Sequence, residues 1–244
     1  THLAKNWRRT PRPRLSLHSR VILRVTLFLF VFGAVVIAAF EAGNPAFGDT
    51  LLEHVMAPMF LSAASRTAGF NSVDTAALSN ATLLLVMLLM TIGGAPGSTA
   101  GGVKITTAML LHSMIVSRAR NRPNVEVLDR TVPPELVAKA LAVAAGYALL
   151  LFGSFMLLEL FEGAHLPPAA TRTLFVDHMF EIVSALGTVG LSTGITASLQ
   201  PESQMILIFL MFIGRLGPII VAASLVGRTR RLDYTLPHEE ILVG

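Results

Sequence analysis

Two triplets carry the chemistry this sequence offers. Thr67-Ala68-Gly69 and Thr188-Val189-Gly190 stand 121 residues apart. Neither contains an ionisable side chain, so what they present is backbone carbonyl. An extended Thr-X-Gly segment turns its carbonyls toward a common axis, and glycine permits dihedral angles that other residues resist. Rings of carbonyls replace the hydration shell of a dehydrated K⁺. Alone, the tripeptide is common in turns; its weight here comes from recurrence at matched places. The second feature is Gly93–Gly102, ten residues of which five are Gly and one is Pro. Such a run breaks a helix and is small enough to move aside. Two cations accompany it, Lys104 and Arg215, each inside an otherwise apolar stretch. At a bilayer centre each costs roughly 2.5–3.5 kcal/mol, so they are expected to face water or loop carbonyls rather than lipid. A plainer reading of Lys104 is snorkelling toward the cytoplasm. For Arg215 it is a hydrogen bond that packs one helix on another.

The elements that position these residues read as membrane spans. The 244 residues are 53% hydrophobic and 14% charged, with a mean hydropathy of +0.65. Soluble domains carry about a quarter charged residues, so most soluble enzymes and a nucleic-acid-binding tail are excluded. There is no cysteine, which excludes disulfides, thiolate catalysis and Cys-ligated metals. The first residue is Thr and no signal peptide opens the chain, so it reads as a piece of something longer. Val21–Phe40 has twenty residues with Arg24 as its one charge. At ~1.5 Å per residue it reaches about 30 Å, one bilayer core. Leu78–Ile92 is apolar, meets Gly93–Gly102, and resumes as Val103–Val116. Ala140–Leu158 is uncharged, and Met205–Val226 has only Arg215. Four spans result, the second broken in the middle.

Basic residues set the expected topology. Lys5, Arg8, Arg9, Arg12, Arg14 and Arg20 precede the first span. Arg118, Arg120, Arg122 and Arg130 follow the second, and Arg228, Arg230 and Arg231 follow the fourth. Positive loops stay in the cytoplasm, which puts all three clusters, and both termini, on one side. Asp49–Arg66 and Thr171–Leu186 then dip into the membrane and return, which is tolerated only where such a segment lines water or is buried in protein. The short helices of these dips, ending near Ser65 and Ala185, aim their negative dipole ends at an ion held by the triplets. The two halves also align without a gap at an offset of 121. Phe40-Glu41 falls on Phe161-Glu162, and Leu89–Gly93 falls on Leu210–Gly214. Three matches at one offset mark a repeat. Each unit is span, re-entrant helix, triplet, span, and both start in the cytoplasm. The expected architecture is therefore an all-α polytopic membrane protein of two parallel units, with its pathway on an axis along the membrane normal. Residues 1–20 form a basic cytoplasmic segment, 21–121 the first unit, 122–227 the second and 228–244 a cytoplasmic tail.

Two longer motifs carry a resemblance. Ser65-Arg-Thr-Ala-Gly-Phe-Asn71 with Ile92-Gly-Gly-Ala-Pro-Gly-Ser-Thr-Ala-Gly-Gly-Val-Lys104 is similar to the third repeat of the Trk/Ktr/HKT potassium transporters. Leu186-Gly-Thr-Val-Gly-Leu-Ser192 with Phe212-Ile-Gly-Arg-Leu-Gly-Pro218 resembles the fourth. The ending, Tyr234 through Gly244, is similar to the C-terminus of the Ktr membrane subunit. The resemblance implies a pseudo-fourfold cation-channel-like fold of which this chain holds two units, its partner being the N-terminal half of the same subunit. It implies that Gly69 and Gly190 are filter glycines, with Thr67, Ala68, Thr188 and Val189 beside them. Gly93, Gly94, Gly97, Ser98, Thr99, Gly101 and Gly102 match a gating intramembrane loop, and Arg215 an arginine facing it. Some plant relatives carry Ser at one filter position and prefer Na⁺; both positions here are Gly, which favours K⁺. A homodimer docked on a cytosolic nucleotide-binding regulatory ring is implied, with Na⁺ as a possible coupling or activating ion and no organic cofactor in this chain.

Other readings weigh less. Gly97–Thr106 lacks the Gly-Lys-Ser/Thr order of a phosphate loop, because Val103 and Ile105 flank Lys104. Asp177, His178 and Glu181 share a helical face that suggests an intramembrane hydrolase, against the plainer reading of the wet end of a pore helix. Glu41 and Glu162 either cap outer helix ends or concentrate cations at an entrance. Trp7 is an interfacial anchor, and the arginines around it are topological first and a contact for anionic lipid second. The rival from another class is a non-conducting membrane scaffold or assembly subunit.

Overall fold

The computed structural model describes residues 16–128 and 130–216. The basic cluster Lys5–Arg14 with Trp7, the last part of the expected fourth span, Arg228–Arg231 and the tail 228–244 lie outside the described residues. Within them the chain is mostly helical. Helix α1 is Leu17–Phe40, α2 Leu51–Ala64, α3 Asn80–Thr91, α4 Ile105–Ala119, α5 Pro134–His165, α6 Pro168–Gly187 and α7 Pro201–Leu216. One small departure from the all-α expectation is an antiparallel pair, β1 Glu126–Val127 with β2 Arg130–Thr131. Two-residue strands are too short to leave a periodic signal in sequence.

Local chemistry explains where helices start and stop. Ser16 caps α1 by accepting the Ser19 N–H. Thr50 and Glu53 form a reciprocal capping box at α2. Ser79 caps α3, and Gly93-Gly94-Ala95-Pro96 ends it. Helices α5, α6 and α7 each begin on a proline, whose missing N–H costs nothing at a first turn.

Helices α1 and α5, of 24 and 32 residues, are long and apolar enough to cross a membrane. Their outward faces are apolar too: Leu23, Leu27, Phe28 and Val31 on α1, and Leu149, Phe152 and Met156 on α5, are exposed. The twelve residues of α3 rise only about 18 Å, short of a bilayer core of ~30 Å. The expected second span is therefore carried by α3 and α4 with the Ile92–Lys104 segment between them. At the centre stands α6, packed on α3, α5 and α7, with Phe180, Ile182, Val183 and Leu186 at most 1% exposed.

The offset of 121 also relates the elements. It carries α1 into α5, α2 into α6, the 3₁₀ turn Thr75–Ala77 into Ile195–Ser198, and the start of α3 onto the start of α7. Two carboxylates repeat with it. Glu41, 3% exposed, accepts from the Ser79 N–H at 2.9 Å, the Ser79 hydroxyl at 2.7 Å and Asn44 Nδ2 at 2.7 Å. Glu162, 2% exposed, accepts from the Gln200 N–H at 2.9 Å. Each carboxylate ties the end of a long helix, α1 or α5, to the residue just before the second helix after it, α3 or α7, the geometry of the capping alternative. Burial alone would raise the Glu41 carboxyl. Hydrogen bonds from Thr82, Asn44 and Ser79 outweigh it and hold the group below its ordinary value of 4.5.

Replacing Glu41 by Ala strands buried donors and is expected to cost about 1–3 kcal/mol. Because its folded pKa is lowered, Glu41 stabilises fully above the ordinary value of 4.5 and progressively less as pH falls through the lowered one. Thermal unfolding in detergent checks this: the gap between wild type and Glu41→Ala is full at pH 7 and closes in acid. Glu162→Ala lowers the midpoint at pH 7 as well.

Candidate functional site

Both triplets sit on the C-terminal end of a helix. In the first, the N–H groups of Ala68 and Gly69 both reach the Ala64 carbonyl, at 3.3 and 3.2 Å. In the second, Thr188 N–H bonds the Ala185 carbonyl, Val189 N–H the Ser184 carbonyl, and Gly190 N–H the Ser184 hydroxyl at 3.2 Å. Their backbones are not the extended strands expected from sequence. Thr67 has φ 68° and Gly69 φ 68°; Thr188 has φ 51° and Gly190 φ 92°. Ala68 and Val189, between them, are not among the positive-φ residues. The cause is position: the residue after a helix C-terminus satisfies the last carbonyls by turning left-handed. A β-branched residue in that region is rare and strained, of order 1–3 kcal/mol, and persists only where its surroundings over-determine it.

The fold brings the two triplets together. A Cβ added to Gly69 would run into the Val189 carbonyl oxygen, and one added to Gly190 would lie 3.7 Å from the Gly69 Cα. No other residue type fits at Gly69.

The glycine-rich segment forms a loop pinched at its base. Gly93 N–H bonds the Val103 carbonyl at 2.8 Å, Val103 N–H the Thr91 carbonyl at 2.9 Å, and Ile105 N–H the Gly94 carbonyl at 3.1 Å. Gly93, Gly101 and Gly102 are buried, while Pro96, Gly97, Ser98 and Thr99 form an exposed tip. Gly101 is the point of closest approach to the second triplet. Its N–H donates to Thr188 Oγ1 at 3.1 Å, and a Cβ there would stand 2.5 Å from the Gly187 carbonyl oxygen. Three consecutive tip carbonyls are taken by the two cations. Lys104 Nζ binds the carbonyls of Ala100 and Ser98, and Arg215 Nη1 binds that of Thr99 at 2.7 Å. A cavity of about 360 Å³ lined by Glu181, Ser184, Thr188, Gly190, Ser192 and Arg215 connects the second triplet to the arginine. Among the described residues, no hydrogen bond joins the first triplet to the loop.

The expectation of a wet end on α6 is corrected. His178 is 1% and Glu181 5% exposed, each with a hydrogen-bonded partner. Ser184, which holds the Gly190 amide, was not singled out by sequence either. The available signal was its spacing of three from Glu181 and six from Gly190.

The profile of the TrkH family, described as cation transport protein, matches residues 4–229. The chain belongs to the TrkH family. Its members are transport proteins rather than enzymes. The chain is 34% identical over 235 residues to the potassium/sodium uptake protein NtpJ of Enterococcus hirae, covering 95% of this chain and 51% of that protein. It is 31% identical to the Ktr system potassium uptake protein B of Bacillus subtilis, covering 94% of this chain and 50% of that one. The chain thus spans about half the length of these relatives. The crystal structure of the potassium transporter TrkH from Vibrio parahaemolyticus superposes with a TM-score of 0.64 at 20% identity, over 84% of this chain and 44% of that chain. That likeness shows a shared, mostly helical fold.

Two substitutions test how the TrkH-family loop is held. Arg215→Ala frees the Thr99 carbonyl, and Thr188→Val leaves the Gly101 N–H without its acceptor, a loss of about 1–3 kcal/mol. Both are expected to speed amide hydrogen exchange across 97–101 while α1 and α5 exchange as before.

Proposed function

We propose that this chain supplies half of a K⁺-selective pathway, with Thr67–Gly69 and Thr188–Gly190 as two walls of a carbonyl filter and Gly93–Gly102 as its gate. One observation carries the reading: two triplets in backbone contact with the same alternation of φ, positive, negative, positive. Alternating handedness removes the half-turn between successive peptide planes of an extended strand, so successive carbonyls share one side, as carbonyl coordination of a dehydrated cation requires. Helix α6 ends directly at its triplet and α2 two residues before its own, so their negative dipole ends add to the field there. Lys104 and Arg215 place positive charge on the loop, an electrostatic barrier when the loop stands in the path.

In this reading the two units are parallel, α2 and α6 enter and leave the membrane on one side, and both chain ends are cytoplasmic in a cell membrane. The other half of the ring comes from the rest of the same subunit. The assembled protein is a homodimer regulated by a cytosolic nucleotide-binding partner, and Na⁺ acts as coupling or activating ion. Support for the cation comes from the potassium uptake proteins named above.

Rb⁺ uptake into proteoliposomes by the complete subunit, competed with K⁺ or Na⁺, tests the proposal. Uptake that K⁺ blocks and Na⁺ does not, lowered at least about tenfold by Gly190→Asp, is expected. Uptake indifferent to that substitution, or none from the wild type, moves the chain to the scaffold reading.

A further inference from the structure

Beyond Asp177, helix α6 is apolar except for a seam at 178, 181 and 184, which reaches three different parts of the fold. His178 Nδ1 lies 2.8 Å from Glu159 Oε1 on α5. Glu181 Oε1 accepts from the Ser192 hydroxyl at 2.5 Å and the Thr193 N–H at 3.1 Å, and its Oε2 accepts from the Thr196 hydroxyl at 2.8 Å. Ser184 Oγ accepts from the Gly190 N–H. Both Glu181 oxygens are thus spent on the segment that leaves Gly190. That segment is also braced internally by the Gly194 N–H, which donates to the Ser192 hydroxyl at 2.9 Å.

The first unit has no matching carboxylate; beside its triplet Ser65 Oγ donates to the Ser62 carbonyl and Arg66 to the Thr26 carbonyl. At the offset of 121, positions 178, 181 and 184 fall on Ala57, Phe60 and Ala63, and Glu159 falls on Ala38. Its triplet is fastened through the Ala64 carbonyl instead. A buried carboxylate costs far more to bury than an apolar residue, and three donors are needed to satisfy it. Neither helix packing nor capping asks for that charge at mid-helix. What lies next to it is a triplet whose Thr188 is strained and therefore has to be over-determined by its neighbours.

We propose that Glu181 is a positioning residue for ion selectivity: by holding Ser192, Thr193 and Thr196 it fixes the second triplet at one width, while the first triplet remains compliant. Discrimination between K⁺ and Na⁺ therefore rests unequally on the two units and depends on a side chain that does not touch the ion. This rests on the filter reading given above.

The test is Glu181→Gln in the complete subunit, read by K⁺ and Na⁺ competition of Rb⁺ uptake. Gln keeps the volume but offers one acceptor oxygen instead of two, so either the Thr193 N–H faces a donor or the Thr196 hydroxyl has to turn and accept from the new NH2. The preference for K⁺ over Na⁺ is expected to fall about tenfold, as the loss of one charged hydrogen bond predicts, with uptake itself retained. Amide exchange at 190–193 speeds up, while Phe60→Leu, the control at the matched position, leaves the ratio unchanged. A Glu181→Gln protein with a lower unfolding midpoint but an unaltered ratio overturns the proposal, leaving Glu181 merely structural. So does a ratio that falls equally with Phe60→Leu. If Gly190→Asp is without effect, the filter reading fails and takes this inference with it. If Gly190→Asp abolishes uptake and Glu181→Gln leaves the ratio intact, only this inference fails.

Discussion

Backbone that leaves a helix inside a membrane must find its hydrogen bonds within the protein, and most of this structure is arranged around that requirement. When α3 stops at Thr91, amides and carbonyls over the next thirteen residues lose their helical partners. The base of the loop recovers some through its own ladder, from Gly93 to Val103 and from Val103 to Thr91. The tip has no such ladder. Its carbonyls at Ser98, Thr99 and Ala100 go to Lys104 and Arg215, and the Gly101 amide goes to a threonine of the neighbouring triplet. Each partner solves a second problem by doing so. Two cations that are expensive in lipid acquire acceptors, and a strained Thr188 acquires a bond that favours its conformation. The glycines permit the approach, the charges hold it, and neither makes sense without the other.

Strain at the triplets follows from the same economy. A threonine turned left-handed is unfavourable by itself, yet it occurs at both Thr67 and Thr188. In each case a helix has just ended, and the left-handed turn returns following amides to that helix's last carbonyls. The two triplets differ in what stands behind them. Apolar residues occupy the first unit where the second carries His178, Glu181 and Ser184. The turn thus recurs at the offset of 121 and its scaffolding does not.

Much of this could be read from the amino acids. Long uncharged runs located α1 and α5, because hydrophobic length is the strongest signal a membrane helix leaves. The offset of 121 placed α2 against α6 to within a few residues of where they begin and end. Loop carbonyls for Lys104 and Arg215 followed from the cost of charge at membrane depth. What could not be read was the sign of φ at two threonines, since a β-branched residue argues for extended backbone and only the helix just before it argues otherwise. Burial of His178 and Glu181 was equally hidden. An ionisable residue on a helix expected to dip into a membrane suggests water unless its partners are known, and these partners lie eleven to nineteen residues away or on another helix.

The most informative divergence between the units is a single matched position. Offset 121 places Arg215 on Gly94, and Gly214 on Gly93. In the first unit the second glycine begins the break that ends α3. In the second unit the helix continues to Leu216 and carries a guanidinium at the same place. That guanidinium reaches across to Thr99, a carbonyl exposed by the break in the other unit. The break and the donor that caps it thus stand at positions matched by the offset. A loop with five glycines is entropically costly to order. Holding it from a helix of the opposite unit makes its position depend on how the two units sit relative to each other. Among the described residues Arg215 and Thr188 both hold the loop from outside its own unit, so a relative displacement of the units bears on the Thr99 carbonyl and the Gly101 amide together.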